Sequence, residues 1–334
     1  MSAFGVESTR GDIVESVHRV SAAVVDAAGR LVASAGDPDL VTFWRSSAKP
    51  FQALPLLVDG AADAFGLSDA ELALACASHS SERQHLEVAA GFLRKIGASE
   101  DQLACGPHPP LGQAVAEMVV RTGLSLTRSW SNCSGKHAGM LALARHHRFD
   151  PAGYERREHP VQQRIIAEVA RWSGVPAEKM AFGVDGCTAL CFGLPLRAMA
   201  LAYARFALSD EPAAVRLRGA ITGQPHLIAG TGRYCTELMT AWPGGIIAKV
   251  GAEGVYSAAL LGSGLGIALK IEDGDMRSAP VALAGVLDAL VDRDGGPGRN
   301  ALTALAGRGR LPIRNTRGDV TGMMTYRGEL QFYA

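Results

Sequence analysis

The segment Arg45-Ser46-Ser47-Ala48-Lys49-Pro50 sets a hydroxyl and an amine three positions apart, just ahead of an apolar helical run. Ser46 and Lys49 therefore fall one turn apart, and their side chains can meet. A serine hydroxyl is a weak nucleophile by itself. An amine whose pKa is lowered by burial or by neighbouring cations can take its proton, and a helix N-terminus adds positive potential for a developing oxyanion. Ser-x-x-Lys is common by chance, and its ordinary reading is a helix cap beside a solvated lysine. A catalytic reading needs partners elsewhere in the chain. Ser78-His79-Ser80, at the end of a helical run, offers a second hydroxyl, and Lys249-Val250-Gly251, closing a glycine-flanked strand, offers a second amine. Hydroxyl and amine pairs of this kind on a Ser-x-x-Lys turn and a Lys-x-Gly strand serve acyl transfer.

Six cysteines stand at 76, 105, 133, 187, 191 and 235. They are scattered, and the first residues lack a basic stretch followed by an apolar one, so metal binding, catalysis or burial is a better reading than a disulfide framework. Two polar, glycine-bearing turns can converge: Asn132-Cys133-Ser134-Gly135-Lys136-His137 and Asp185-Gly186-Cys187. Two thiolates with His137 and Asp185 beside them could hold zinc and leave a position open for water or substrate. The spacing fits no common zinc-finger pattern, which leaves plain burial of small apolar thiols as the other reading. Cys191, four positions after Cys187 on an expected helical turn, reads as core, and so does Cys76. Cys105 in Gly-Pro-His-Pro-Pro could be either, and Cys235 beside Arg233 and Tyr234 could support the site without touching an ion.

The elements that must position these groups follow from pattern. Val17 to Ser34 reads as a hairpin around Asp26-Ala-Ala-Gly29, with Gly29 supplying positive φ. Helical runs follow at Phe51–Val58, at Asp69–Ala77 behind a Ser68-x-x-Glu71 capping box, and at Glu82–Ile96 behind Ser81-x-x-Gln84. Further helices are expected at Leu141–Arg145, Pro160–Ser173, Leu194–Ala207 and Val281–Val291, the last before a Gly/Arg-rich connection. Met180–Val184 is a short apolar run; Ile246–Val250, Val255–Leu261 and Leu265–Ile271 read as a meander, and a final strand is expected near Val320. The class is α+β, an antiparallel sheet packed with a helical layer. Residues 1–334 are expected to form one catalytic unit of two interleaved subdomains, with sheet from about 12–40 and 245–334 and a helical layer over about 50–243.

Composition narrows the classes of function. Hydrophobic residues are 48% and charged ones 20%, ordinary for a globular chain. Lys+Arg and Asp+Glu are both 33, with no concentrated run of either sign, which speaks against a nucleic-acid or anionic-membrane surface. No apolar stretch approaches the roughly 20 residues of a membrane span, so a cytoplasmic protein is expected.

Seven ordered segments together resemble the rhizobial, thermolabile type of L-asparaginase. They are Arg45-Ser-Ser-Ala-Lys-Pro50, Ala77-Ser-His-Ser80, Cys105-Gly-Pro-His108, Asn132-Cys-Ser-Gly-Lys-His-Ala-Gly-Met140, Asp185-Gly-Cys187, Ala229-Gly-Thr-Gly-Arg233 and Lys249-Val-Gly-Ala-Glu-Gly254. The resemblance implies a fold like that of serine β-lactamases and glutaminases, hydrolysis of L-asparagine to aspartate and ammonia, and a homodimer. It implies one serine–lysine tandem at Ser46 and Lys49, a second at Ser78 and Lys249, and zinc held by Cys133, Cys187 and Lys136. Arg45, His137 and Asp185 are then candidate substrate contacts. Ser131 stands where the family pattern has Asn, and Ser81-Glu-Arg replaces Gly-Glu-Pro, departures that bear on substrate preference. Two other readings stay open: a serine amidohydrolase for glutamine, another amide or a β-lactam, and a zinc-binding or thiol-sensing protein without turnover.

Overall fold

A computed structural model describes residues 4–294, 299–305 and 309–334. In chain order β1 (Gly5–Arg10), β2 (Ile13–Val25), β3 (Leu31–Ala35) and β4 (Val41–Phe43) lead to a 3-10 turn, Arg45–Ala48. That turn runs into α1 (Lys49–Val58), followed by α2 (Ala61–Ala64), α3 (Asp69–Ala75), α4 (Arg83–Lys95), α5 (Gln113–Thr122), α6 (Ser134–His146) and α7 (Pro160–Ser173). The hairpin of β5 (Ala181–Val184) and β6 (Leu190–Pro195) precedes α8 (Leu196–Leu208), α9 (Pro212–Gly223), α10 (Pro225–Ile228) and α11 (Tyr234–Ala241). The chain ends through β7 (Ile246–Val250), β8 (Val255–Leu260), β9 (Leu265–Ile271), α12 (Ser278–Asp294), α13 (Arg299–Ala304), β10 (Arg310–Arg314), β11 (Val320–Arg327) and β12 (Gln331–Phe332). These elements group into two compact units: Met1–Ser47, Leu194–Leu208 and Glu237–Ala334 form a sheet unit, and Ala48–Gly193 with Ser209–Thr236 form a helical unit.

In the sheet unit nine strands run β10-β11-β1-β2-β9-β8-β7, with β3 on β2 and β12 on β3. β2 joins its parts: its first half pairs with β1, Gly5 opposite Arg19, and its second half pairs with β9, Val20 opposite Ile271. Val20 and Ala22–Val25 are buried, as is every residue of β7 and β8, so these strands read as continuous apolar runs instead of alternating ones. Helices α8 and α12 cover sheet surface in this unit. Gly266 permits the close approach of α8, because a Cβ there would lie 1.9 Å from the Ala200 carbonyl oxygen. The hairpin at Asp26–Gly29 forms with Gly29 at φ 86°.

The helical unit packs α1 against α6, α7 and α9, and α3 against α4, α6 and α9. Lys49 to Leu56 of α1 and Ser134 to Ala144 of α6 are buried without a polar face, as befits helices at the centre of a bundle. Gly135 lets α6 touch the end of α3, where a Cβ would come 2.2 Å from the Leu74 carbonyl oxygen. The Ser68 and Glu71 capping box closes α3 as expected.

Three local expectations are corrected. The box on α4 is made by Glu82 and His85, not by Ser81 and Gln84, because Ser81 takes φ 57° and gives its hydroxyl to the Trp130 carbonyl instead. Helix α6 begins at Ser134 instead of Leu141, which places Cys133 at its N-cap. Cys191 lies in β6, opposite Gly183, and not on a helical turn with Cys187. Strands β10 and β12 and helices α5, α9 and α11 are additions to the sequence reading. Residues 295–298 and 306–308 of the expected Gly/Arg-rich connection lie outside the described residues. Among the described residues no helix is long and apolar enough to cross a membrane.

Candidate active site

In the sheet unit, Ser46 is half-buried in the 3-10 turn, between Arg45 at φ 52° and a buried Ser47. Ser47 ties that turn to β7: its hydroxyl donates to the Lys249 carbonyl at 2.8 Å, and its own carbonyl accepts the Tyr203 hydroxyl at 2.8 Å. The Trp44 indole donates to Ser257 on β8 at 3.1 Å. A Cβ on Gly251 would sit 3.1 Å from the Ser47 hydroxyl and the Trp44 carbonyl, so glycine after Lys249-Val250 keeps the turn and the strand together. The Lys249 ammonium is buried and donates to the Val250 carbonyl at 2.8 Å. The turn bearing Ser46 and the strand bearing Lys249 are thus neighbours.

In the helical unit, Lys49 opens α1 with its side chain fully buried. Its amine donates to the Ser78 hydroxyl at 3.1 Å and also to the Ala77 carbonyl. Ser78 itself is pinned by its backbone N–H, which donates to the Ile228 carbonyl at 2.9 Å. The next residue, His79, accepts the Ser81 backbone N–H on Nδ1 at 3.1 Å, so Nε2 carries the proton and donates to Ser134 at 2.9 Å. Complete burial, helped by the nearby His85 and Lys49, holds this imidazole well below its usual pKa and neutral.

Three more of the expected residues come together: Cys133 and Lys136 at the start of α6, and Cys187 in the turn between β5 and β6. Asp185 accepts the Thr188 N–H and donates its own N–H to Ala189, which presents Cys187 inward. The Lys136 amine donates to the Cys187 sulfur at 3.1 Å. Cys133 and Cys187 are hydrogen-bonded to one another. That bond, with burial, pushes Cys133 up to about 12, and the same bond lowers Cys187 to about 5 against burial and with the help of Lys136. Cys187 thus sits between the Cys133 side chain and the Lys136 amine. Burial opposes the charge on Lys136, but Cys187, Cys133 and Asp185 together hold its pKa above the ordinary lysine value.

Two sulfurs and an amine at one buried point fit a borderline-soft ion such as zinc, provided the bound protons leave. Cys105, pushed up to about 11 by burial, donates to the Arg128 carbonyl at 3.8 Å and Cys76 caps α3, so both have packing roles. His137 is fully buried with Nδ1 2.7 Å from the Tyr154 hydroxyl, and burial, with Lys136, pushes it down to about 3.

Sequence reading passed over Tyr154, a lone aromatic after Asp150-Pro-Ala-Gly that turns out to be buried. It also passed over Glu82, His85 and His226, whose ligand atoms lie within 4.8 Å of one another. The only signal for Tyr154 was the incongruity of a large aromatic in a polar stretch, and for the second group none existed, because His226 is far from the others in the chain.

A family profile described as L-asparaginase II matches residues 6–326. No curated protein matches the chain. Among solved structures, the octameric penicillin-binding protein homologue from Pyrococcus abyssi is similar at 12% identity over 84% of this chain and 74% of that one, with a TM-score of 0.44. A candidate β-lactamase from Bacteroides dorei DSM 17855 is similar at 12% identity over 86% of this chain and 92% of that one, with a TM-score of 0.40. The profile spans nearly the whole chain and both turns that carry the convergent thiols and amines, and the protein therefore belongs to the L-asparaginase II family of amidohydrolases.

Proposed function

We propose that the protein hydrolyses L-asparagine to L-aspartate and ammonia by serine–lysine catalysis, with zinc aiding substrate binding. The observation that carries this reading is the buried Lys49 amine held on the Ser78 hydroxyl, an amine taken out of water and given one hydroxyl partner. Ser46, one turn before Lys49 in the chain, attacks the side-chain amide carbon and passes its proton to the Lys49 amine. The C–N bond then breaks as nitrogen takes a proton relayed by Ser78 and Lys249, and ammonia leaves. Water repeats the sequence on the resulting ester and releases aspartate. Arg45, His137 and Asp185 supply polar contacts to the substrate.

Cys133, Cys187 and Lys136 would hold the zinc, which when bound supplies a Lewis-acidic positive centre that orients the substrate's polar groups. Because Lys136 must lose a proton to ligate, zinc affinity should rise with pH. A homodimer, which rests on the family resemblance, and a cytoplasmic location, which rests on the lack of an apolar stretch long enough to span a membrane, are part of the same reading. Sedimentation of the purified protein tests the first, and cell fractionation the second.

The Lys49–Ser78 bond also favours a second assignment of the nucleophile, in which Ser78 attacks and Ser46 assists. Ammonia release from asparagine by Ser46→Ala and Ser78→Ala, with mass spectrometry of the trapped acyl-enzyme, separates the two. Near-normal turnover by Ser46→Ala removes Ser46 as nucleophile, and loss of about 10³-fold or more supports it. A panel of glutamine, other amides and a β-lactam decides substrate class. Zinc retained by a protein silent on the whole panel would favour a zinc-binding or thiol-sensing role instead.

A further inference from the structure

His137 is fully buried, and its Nε2 has no hydrogen-bond partner. Buried polar atoms are nearly always paired, so this one calls for an explanation. Its other ring nitrogen is well engaged, with Nδ1 lying 2.7 Å from the Tyr154 hydroxyl oxygen. That oxygen already accepts the backbone N–H of Ala104 at 2.8 Å, which leaves the phenol's single proton to be donated, and Nδ1 is placed to take it. The imidazole is then protonated at Nε2. Tyr154 is itself held: its carbonyl accepts the Gln162 side-chain amide at 2.9 Å, and its ring packs edge-on against His137.

A relay thus runs from the Ala104 N–H through the Tyr154 hydroxyl to His137, and its open end is a buried, neutral N–H donor. An imidazole fixed this way has no Nε2 lone pair for a metal, which removes His137 from any ligand set that uses that nitrogen. The helix α6 carries His137 beside Lys136, and Lys49 and Cys133 also act on the ring electrostatically. A buried N–H left without a partner inside the protein is best satisfied by an ionised oxygen brought in with the ligand, because hydrogen bonds to charged acceptors are the strong ones.

We propose that Tyr154 is a positioning residue that locks His137 as the Nε2–H tautomer, so that this N–H donates to the α-carboxylate of the bound amino-acid amide. This rests on the asparaginase reading, which it deepens by adding a residue and naming the substrate group met.

The test uses the full-length protein labelled with 15N-histidine, with His137→Gln identifying the His137 signals. Wild type is expected to show the Nε2–H tautomer and Tyr154→Phe a mixture of the two. Adding L-aspartate should move the Nε2–H resonance, whereas 3-aminopropanamide, which has the amide but no α-carboxylate, should not. Kinetically, Tyr154→Phe raises KM for asparagine about tenfold with kcat little changed, the loss of one hydrogen bond's worth of binding. In the His137→Gln background the same substitution adds little, since the relay has lost its end. An Nδ1–H tautomer in wild type, a tautomer unmoved by Tyr154→Phe, additive effects on KM, or silence toward aspartate each overturn the proposal. Should the wild type release no ammonia from asparagine, the functional reading fails, while the tautomer spectra still decide the Tyr154–His137 assignment by themselves.

Discussion

Two groups in the helical unit each bring metal-capable side chains together, and they differ in what occupies their lone pairs. In the Glu82, His85 and His226 group the two carboxylate oxygens, both His85 nitrogens and the His226 Nε2 all have partners. Glu82 accepts the Thr231 backbone N–H at 2.8 Å and hydroxyl at 2.9 Å and lies 3.2 Å from the His226 Nε2. His85 accepts the Glu82 N–H at 3.2 Å on one nitrogen and donates to the His226 carbonyl at 3.1 Å with the other. Most of these partners are backbone groups, so an ion could enter only by dismantling the cap of α4 and the loop at Thr231. In the Cys133, Lys136 and Cys187 group the partners are the three side chains themselves, joined through protons. Protons are what a metal displaces. Convergence of donor atoms is common in folded proteins, and replaceable partners are what distinguish a site from a structural network.

The comparison breaks most visibly at the thiols. Zinc titrated into the apo protein should bind at one equivalent, and Cys133→Ser or Cys187→Ser should weaken it by well over about 100-fold, the scale reached by losing even a supporting contact. Inductively coupled plasma mass spectrometry of the variants reads this directly. Stoichiometric zinc in Cys187→Ser would move the site elsewhere and leave the thiol pair as packing.

A second expectation concerns pH in the apo protein. Cys187 has a folded pKa of about 5 against an ordinary thiol value of 9.0, so its contribution is full above 9 and is lost as pH falls toward 5. Cys133 runs the other way: raised to about 12, it stabilises below 9 and loses that effect as pH rises past 9 toward 12. Lys136, also raised, weakens above its ordinary value in the same direction. Stability from this cluster should therefore peak near pH 9 and fall by a few kcal/mol on the acid side, an order of magnitude set by about 1.4 kcal/mol per pKa unit. His85, by contrast, is lowered by burial from 6.5, so the polar network loses stability only below that pH. Denaturant melts from pH 5 to 10 on wild type and Cys187→Ala separate the two: the variant should lose the slope between 7 and 9 and keep any below 6.5. An unchanged slope would mean that the thiol pair does not share a proton.

How much of this could be read from the chain depends on the distance over which each feature is decided. Apolar runs and glycines marked the β7–β9 meander, because three adjacent strands buried on both faces need no distant information. The Ser68 and Glu71 box was equally local. The α4 cap was misread because Ser81 is drawn to the Trp130 carbonyl, a partner the local pattern cannot show. The turns bearing Cys133 and Cys187 stood out by their polar, glycine-bearing character, yet their meeting and the proton they share depend on α6 starting early enough to make Cys133 an N-cap. The catalytic candidates were legible as motifs, while the staples that hold them, Ser47 on Lys249 and Tyr203 on Ser47, were not, since a buried hydroxyl and a carbonyl leave no periodic trace.

The smallest expected effect sharpens the comparison from its other side. Glu82→Gln keeps the shape of the side chain but removes the charge that anchors Thr231 and faces His226, bonds worth about 1 to 2 kcal/mol where the carboxylate is part-exposed. Thermal or urea melts should show a loss of that size, and zinc stoichiometry and affinity should match wild type. His226→Asn should behave alike, with a smaller loss, because its carbonyl continues to accept from His85. If either substitution instead lowered zinc content while stability held, backbone partners would have proved as replaceable as protons, and the rule drawn from the thiol cluster would not extend to this one. A stability loss with zinc unaltered leaves this network the role its bonds describe, a clasp between the start of α4 and the loop bearing Thr231, directly after the segment that carries Ser78.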